Sequence, residues 1–330
     1  MHFLEKQLQK KQNSCTLCTD IKGSVQSHTI SHEKLKEKTE RKYMTYEMFL
    51  DCLERAVQQV KRENEQIKRV HILKNNGVYM DGFACRLPGR REEPTVYVNH
   101  YYRENAKEEY VQEVAHMILG IQRESMSFSS NDLEQVLDFE RMKKRIFFRL
   151  VSKEKNAELL KKVPYVEWQD LALVFYLKIP EEIVKHATAI IHTNHMERWG
   201  VEVEELYRTA KVNMEEMPLF FHPIEDFLED YGLEDFGSGM HVLSNQQKEF
   251  GAAVIVNPAV QKMCAAQMGG DYYVLPSSIH EVILLPAKVE YEREELDEMI
   301  QDVNRQCVSR EEYLGNHAYY YSVALEKLEF

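Results

Sequence analysis

The segment 277–281, "SSIHE", holds the densest group of residue types used in catalysis. A serine hydroxyl, an imidazole and a carboxylate act together in nucleophilic or acid–base catalysis only when they contact one another. The flanking "YYVL" and "IHEVILL" predict a hairpin with residues 275–278 as its turn. Because side chains alternate along a strand, His280 and Glu281 are expected on opposite faces. The segment is therefore predicted to be structural, with Ser278, His280 and Glu281 kept as candidate catalytic residues.

Distant polar residues offer a second way to build a site. His195 lies near the end of one predicted strand, and Ser244 and Asn245 follow another. If these ends converge, His195 and His280 with Glu281 could bind a metal or act as acid and base. The alternative interpretation is a surface histidine, a turn serine and a capping asparagine.

Four residues near the N-terminus have the spacing of zinc ligands. Cys15, Cys18, His28 and His32 form a C-x₂-C-x₉-H-x₃-H pattern. The central gap is shorter than the roughly 12 residues of a zinc finger. Residues 1–43 hold nine Lys and Arg against five Asp and Glu, so the alternative is a disordered basic tail.

The known catalytic signatures are missing from the sequence. "HEVIL" is not H-E-x-x-H, and neither G-x-S-x-G nor G-x-x-x-x-G-K-[ST] occurs. The dinucleotide-binding G-x-G-x-x-G is missing as well. The interpretation therefore favours a protein that is not an enzyme and has no cofactor, apart from zinc in the tail.

Composition restricts the classes of partner. The 330 residues carry a net charge of −12, and such an acidic body repels nucleic-acid phosphates. No run approaches the roughly 20 apolar residues that a membrane helix needs, and the N-terminus lacks the apolar stretch of a secretory signal. The six cysteines are scattered rather than spaced as a disulfide framework. A cytoplasmic protein with a protein partner fits best.

Hydrophobic periodicity predicts an α+β fold with mixed or antiparallel sheets and packed helices. Asn76-Gly77 predicts a hairpin turn, "DFERMKKRIFFRLVS" a helix with basic residues on its solvated face, and "GAAVIV" a strand. Asn257-Pro258 begins a predicted helix that ends at Gly269-Gly270. The predicted organisation comprises the following parts: a tail (1–43), an N-terminal module (44–130), a middle module (131–223), an acidic linker (224–239) and a C-terminal module (240–330).

Several motifs resemble an uncharacterised bacterial family, domain of unknown function 5688. They are "LKNNGVYMDG", "PTVYVNHYY", "DLALVFYLK", "NHMERWGVEVEELYRTAKVNM", "VLSNQQKEFGAAVIV" and "YYVLPSSIHEVILLP". The resemblance runs from about Met44 to the C-terminus. The order of elements from about residue 165 is also similar to that of YtpQ-like bacterial proteins. The resemblance implies an architecture and a bacterial cytosolic setting, and it brings no catalytic residues.

Three functions follow from these observations. The first is a non-enzymatic module that binds a protein or regulatory partner. The second is a hydrolase or metal-dependent enzyme that uses His195, His280 and Glu281. The third is a DNA-associated regulator that acts through the Cys/His tail.

Overall fold

A computed structural model describes most of the chain after the tail. The described residues are 43–88, 93–125, 138–180, 188–228, 239–276, 278–288 and 291–330. They fall into two compact units, a smaller one formed by 43–73 and 79–125 and a larger one formed by 74–78 and 138–330, with the gaps given above. The candidate zinc ligands Cys15, Cys18, His28 and His32 lie outside the described residues, as does Ser277.

The smaller unit packs two helices on a three-stranded antiparallel sheet. Its elements are α1 (Tyr46–Val60), β1 (Gln66–Leu73), β2 (Tyr79–Arg86), β3 (Thr95–Tyr97) and α2 (Glu108–Ser125). Thr45 caps α1, since its hydroxyl accepts a hydrogen bond from the Met48 amide at 3.3 Å. The predicted hairpin turn is confirmed, because Asn76 and Gly77 have positive φ angles of 59° and 69°.

A buried ion pair lies inside the smaller unit. Glu65 is only 2% exposed, and Arg123 on α2 donates to it from Nε at 2.7 Å and from Nη2 at 2.9 Å. The Arg62 amide also donates to this carboxylate at 2.7 Å. The Arg123 hydrogen bond holds the pKa of Glu65 below its ordinary value, against the opposing effect of burial. The charge of Glu65 is therefore fully compensated.

The larger unit contains two antiparallel sheets. Its strands are β4 (Ile146–Ser152), β5 (Tyr165–Trp168), β6 (Leu171–Lys178), β7 (Thr188–Ile190), β8 (Leu219–Pro223), β9 (His241–Asn245), β10 (Tyr272–Leu275), β11 (Val282–Pro286), β12 (Tyr319–Ser322) and β13 (Lys327–Glu329). Strand order is β4-β6-β5 in one sheet, with β7 also pairing with β6, and β13-β12-β10-β11-β9-β8 in the other.

The helices of the larger unit lie between these strands along the chain. They are α3 (Phe139–Met142), α4 (Ala157–Leu160), α5 (Thr193–Trp199), α6 (Val203–Glu215), α7 (Glu225–Leu228), α8 (Pro258–Met268) and α9 (Arg293–Cys307). The predicted caps of α8 are confirmed: the Asn257 side chain accepts from the Ala259 amide at 2.9 Å, and Gly269 has a left-handed φ of 83°.

One hydrophobic core joins the segments predicted as middle and C-terminal modules. It includes Ile146 and Phe175 from the first sheet and Val274 and Leu284 from the second. Strand β8 comes from the predicted middle module and pairs with β9. These segments accordingly share one compact unit. Of the predicted acidic linker, 229–238 lie outside the described residues, while α7 occupies its start.

The α+β class with antiparallel sheets is confirmed, but two local predictions are wrong. Residues 146–152 form β4 rather than the second half of a helix, because α3 ends at Met142 and a short 3₁₀ turn follows it. Gly251–Val256 form a 3₁₀ helix rather than a strand. No helix within the described ranges is long and apolar enough to span a membrane.

Candidate functional site

The segment around His280 is a loop between two paired strands. The predicted hairpin is confirmed, since β10 and β11 pair with Tyr273 opposite Leu285. However, β11 begins at Val282, so Ser278, His280 and Glu281 precede the strand. The alternation of side chains along a strand therefore does not determine which way these three side chains point.

Backbone groups hold both Ser278 and His280. The Ser278 hydroxyl accepts a hydrogen bond from the His280 amide at 3.0 Å, and Ser278 forms an isolated β-bridge with Tyr313. The Phe250 amide donates to His280 Nδ1 at 3.3 Å, which places the proton of a neutral ring on Nε2. The His280 ring also stacks on Phe250 with centroids 5.6 Å apart. These contacts order the loop.

Two of the distant polar segments that the sequence left as possible neighbours, those at Ser244 and at His280, lie in contact. The Ser244 hydroxyl, on β9, donates to the His280 carbonyl at 2.7 Å. Gly251 lies beside this contact, and a Cβ there would stand 2.0 Å from Ser244 Oγ and 2.6 Å from the His280 oxygen. Asn245 is engaged by Glu249: its amide nitrogen donates to the Glu249 carbonyl at 2.8 Å. The Ser244, Gly251 and His280 segments therefore form one tightly packed core feature.

His195 has a different environment from His280. It lies in the first turn of α5, where its Nδ1 accepts from the His192 amide at 3.2 Å and its ring lies near Trp199. Burial, with smaller effects of His192 and Arg198, lowers the pKa of His195 below its ordinary value. The imidazole is therefore a neutral capping group at neutral pH.

The described part of the chain contains no group of side chains arranged to bind a metal ion. Within that part, no three His, Cys, Asp or Glu side chains lie close enough together to hold an ion. His195, His280 and Glu281 are thus not grouped as ligands. Glu281 itself is buried, with 4% exposure.

A cationic pocket lies elsewhere in the larger unit, and we name it the basic groove. It has a volume of about 680 Å³ and is lined by Arg141, Lys144, Arg145, Phe147, Lys178, Asn213, Glu216, Met217, Pro218, Asn245, Gln246 and Gln247. Four lining residues are cationic and one is acidic. A cation–π contact orients Lys178, whose Nζ lies 4.6 Å from the centre of the Phe147 ring.

Three of the four cations of the basic groove have no ion pair with a described residue: Lys178, whose Nζ donates to the Gln247 side chain, and the neighbouring Lys144 and Arg145. Lys144 and Arg145 form no ion pair with any described residue, whereas exposed lysines elsewhere do: Lys153 pairs with Glu167 at 2.5 Å and Lys262 with Glu326 at 2.5 Å. Periodicity predicts that this basic segment lies on the solvated face of a helix, and it gives no indication of a groove. The 3₁₀ turn at Lys143–Arg145 brings the segment beside β6 instead.

Comparison with known proteins identifies a family but no activity. A family model described as a family of unknown function, DUF5688, matches residues 46–323. The chain belongs to this family. Membership confirms the resemblance drawn from the motifs. No curated protein and no solved structure matches the chain.

Proposed function

We propose that this DUF5688 protein is a non-enzymatic binding module of the bacterial cytosol that recognises an acidic segment of a partner protein through the basic groove. The observation that carries this proposal is the pair Lys144 and Arg145, which line an open groove without an ion-pair partner among the described residues. The chain as a whole carries a net charge of −12. A cationic patch on such a surface attracts and orients an anionic partner.

The lining of the groove favours a polypeptide over a nucleic acid. Phe147, Met217 and Pro218 provide apolar surface between the cations, and Glu216 adds a negative charge. A peptide offers both carboxylates and apolar side chains to such a surface. A nucleic acid would bring a continuous row of phosphates against an acidic protein, which is unfavourable.

The contacts of His280 support a module without catalytic activity. Its Nδ1 accepts from the Phe250 amide, its carbonyl accepts from Ser244, and its ring stacks on Phe250. These are contacts of a packing residue. Free thiols at Cys52, Cys85 and Cys264 agree with a reducing compartment such as the cytosol.

Fluorescence anisotropy with a labelled poly-glutamate peptide tests the proposal. The wild-type protein is expected to bind the peptide, with affinity that falls as salt concentration rises. Lys144→Gln/Arg145→Gln should weaken binding about tenfold, since each exposed charge contributes up to about 1 kcal/mol.

The matched control is Lys161→Gln/Lys162→Gln, which removes two charges from another exposed site of the same unit. It should bind like the wild type. Equal losses in both variants would show that only net charge matters and would refute the groove. Tighter binding of a duplex DNA of equal charge would refute the choice of a protein partner.

A further inference from the structure

Arg149 is a cation placed inside a sheet without an acid to pair with. It lies on β4 directly opposite Val174 of β6, and it shares a face with Phe147 two residues earlier. Its Nε is buried and forms no hydrogen bond with any described group. The side chain as a whole is only partly buried, so the solvent-accessible part of the guanidinium lies at its terminal amino groups.

Aromatic rings hold this guanidinium in place. Its Cζ lies 4.8 Å from the centre of the Phe250 ring, a cation–π contact. Phe250 in turn meets Tyr176 edge-on at 5.0 Å, and Tyr176 stacks on Phe147 at 5.9 Å. These neighbours fix the position of the guanidinium and leave its amino groups without an anion.

One carboxylate lies near Arg149 but does not pair with it. Glu249 influences Arg149 electrostatically, yet it is not within the 4.0 Å of an ion pair. Burial lowers the pKa of Arg149 to about 10, while Tyr176 and Glu249 act in the opposite direction. The guanidinium is therefore charged at neutral pH and only partly compensated.

A partly buried cation without an ion-pair partner is unfavourable unless something compensates its charge. A carboxylate that approaches the terminal amino groups would form two parallel charge-assisted hydrogen bonds. Phe147 and Phe250, which are both half-buried, would contact the body to which this carboxylate is attached, and the buried Tyr176 supports both rings from behind. The arrangement thus combines one fixed cation with apolar rings.

We propose that Arg149 anchors a binding site for a ligand that carries a single carboxylate on an aromatic or apolar body. Phosphate suits the site less, because its second charge would meet Glu249 and because one guanidinium supplies few of the donors that phosphate sites use. The site shares Phe147 with the basic groove, but it goes beyond the proposed partner binding and does not rest on it.

The test uses the full chain and follows arginine Nε signals by ¹H–¹⁵N NMR. Benzoate is the probe, benzamide its uncharged counterpart, and inorganic phosphate the competing anion. Benzoate is expected to shift the Arg149 signal saturably, whereas benzamide and phosphate leave it in place. Arg149→Lys identifies the signal and should lose at least about tenfold in affinity, because lysine keeps the charge but lacks the planar fork.

Glu249→Gln distinguishes a binding site from a merely structural arginine. Removal of this nearby negative charge should tighten benzoate binding about threefold. Lys144→Gln/Arg145→Gln should leave benzoate binding unchanged, so failure of the basic groove and failure of this site can be told apart. An unchanged affinity in Glu249→Gln would count against the site.

Three further results would overturn the inference. They are no saturable shift with benzoate, an equal shift with benzamide, and an equal or larger shift with phosphate. All three concern the wild-type chain, so they decide the matter even if Arg149→Lys does not fold.

Discussion

The two units surround a partly buried arginine in opposite ways. In the smaller unit, Arg123 meets Glu65 through two hydrogen bonds of 2.7 and 2.9 Å. In the larger unit, Arg149 lies against Phe250 at 4.8 Å, and its Nε has no described partner. The first arginine has its counter-ion within the fold, whereas the second has no ion pair with a described residue.

The charge of Arg123 is expected to stabilise the fold, whereas the charge of Arg149 is expected to contribute little to stability or to reduce it. Removal of one member of a compensated buried pair leaves the other member uncompensated, which is strongly destabilising. Removal of a cation without a partner relieves the fold of a desolvated charge. Stability measurements on both sites therefore test the distinction directly.

The largest effect is expected from Glu65→Gln. Since Arg123 then loses its counter-charge, the smaller unit should lose about 3 kcal/mol in its free energy of unfolding. Hydrogen exchange of the amides in α2 measures this loss. Glu63→Gln, at an exposed position two residues away, should change exchange little. Similar protection in both variants would remove the contrast with Arg149.

Lowering the pH should reduce the stabilisation that the Glu65–Arg123 pair gives to the smaller unit. The folded-state pKa of Glu65 lies below its ordinary value of 4.5, so its stabilisation is present above that pH and is lost as pH falls through the folded pKa. Urea unfolding across this range should show the wild type converging on Glu65→Gln as the pH falls. Parallel curves for the two proteins would contradict the assignment.

Arg149→Met is expected to have a smaller effect of either sign. Methionine fills similar space without a buried charge, so the unfolding free energy of the larger unit should stay within about 1 kcal/mol of the wild type. Arg123→Met provides the comparison and should destabilise the smaller unit by about 3 kcal/mol, because it leaves the buried Glu65 carboxylate without its counter-charge. A loss above about 2 kcal/mol for Arg149→Met would make this arginine structural.

The smallest effect concerns the ring beneath Arg149. A double-mutant cycle of Arg149→Met and Phe250→Leu should give a coupling energy of about 0.5–1 kcal/mol, the usual size of a cation–π contact near the surface. Thermal and urea unfolding of the four proteins supply the terms. A coupling of zero would mean that Phe250 does not hold the guanidinium.

Much of the fold could be predicted where local signals and periodicity agree. The Asn76-Gly77 turn follows from residues that accept positive φ, and α8 follows from its Asn-Pro start and Gly end. The helical spacing of Phe139, Met142, Ile146 and Leu150 predicts a helix where the structure has β4, so this prediction is wrong. Its apolar residues occupy both faces of the strand, which removes the alternation that indicates a strand.

The candidate sites were harder to predict because they depend on contacts across the chain. The segment at His280 is a candidate site by its residue types alone, but the His280 carbonyl accepts from Ser244 and its Nδ1 accepts from the Phe250 amide. The sequence around Arg149 does not indicate a binding site, because a single arginine in an apolar stretch is common at protein surfaces. Only the pairing of β4 with β6 places it among rings.

Gly251 has a consequence for recognising distant relatives. A Cβ atom at this position would overlap Ser244 Oγ. It would also lie only 2.7 Å from the backbone nitrogen of Asn245. A homologous protein that keeps this crossing of two segments must therefore keep glycine there, whatever else has diverged. A homologous protein with a larger residue at this position must have a different backbone path here. Its ligand preferences should therefore not be inferred from those of this chain.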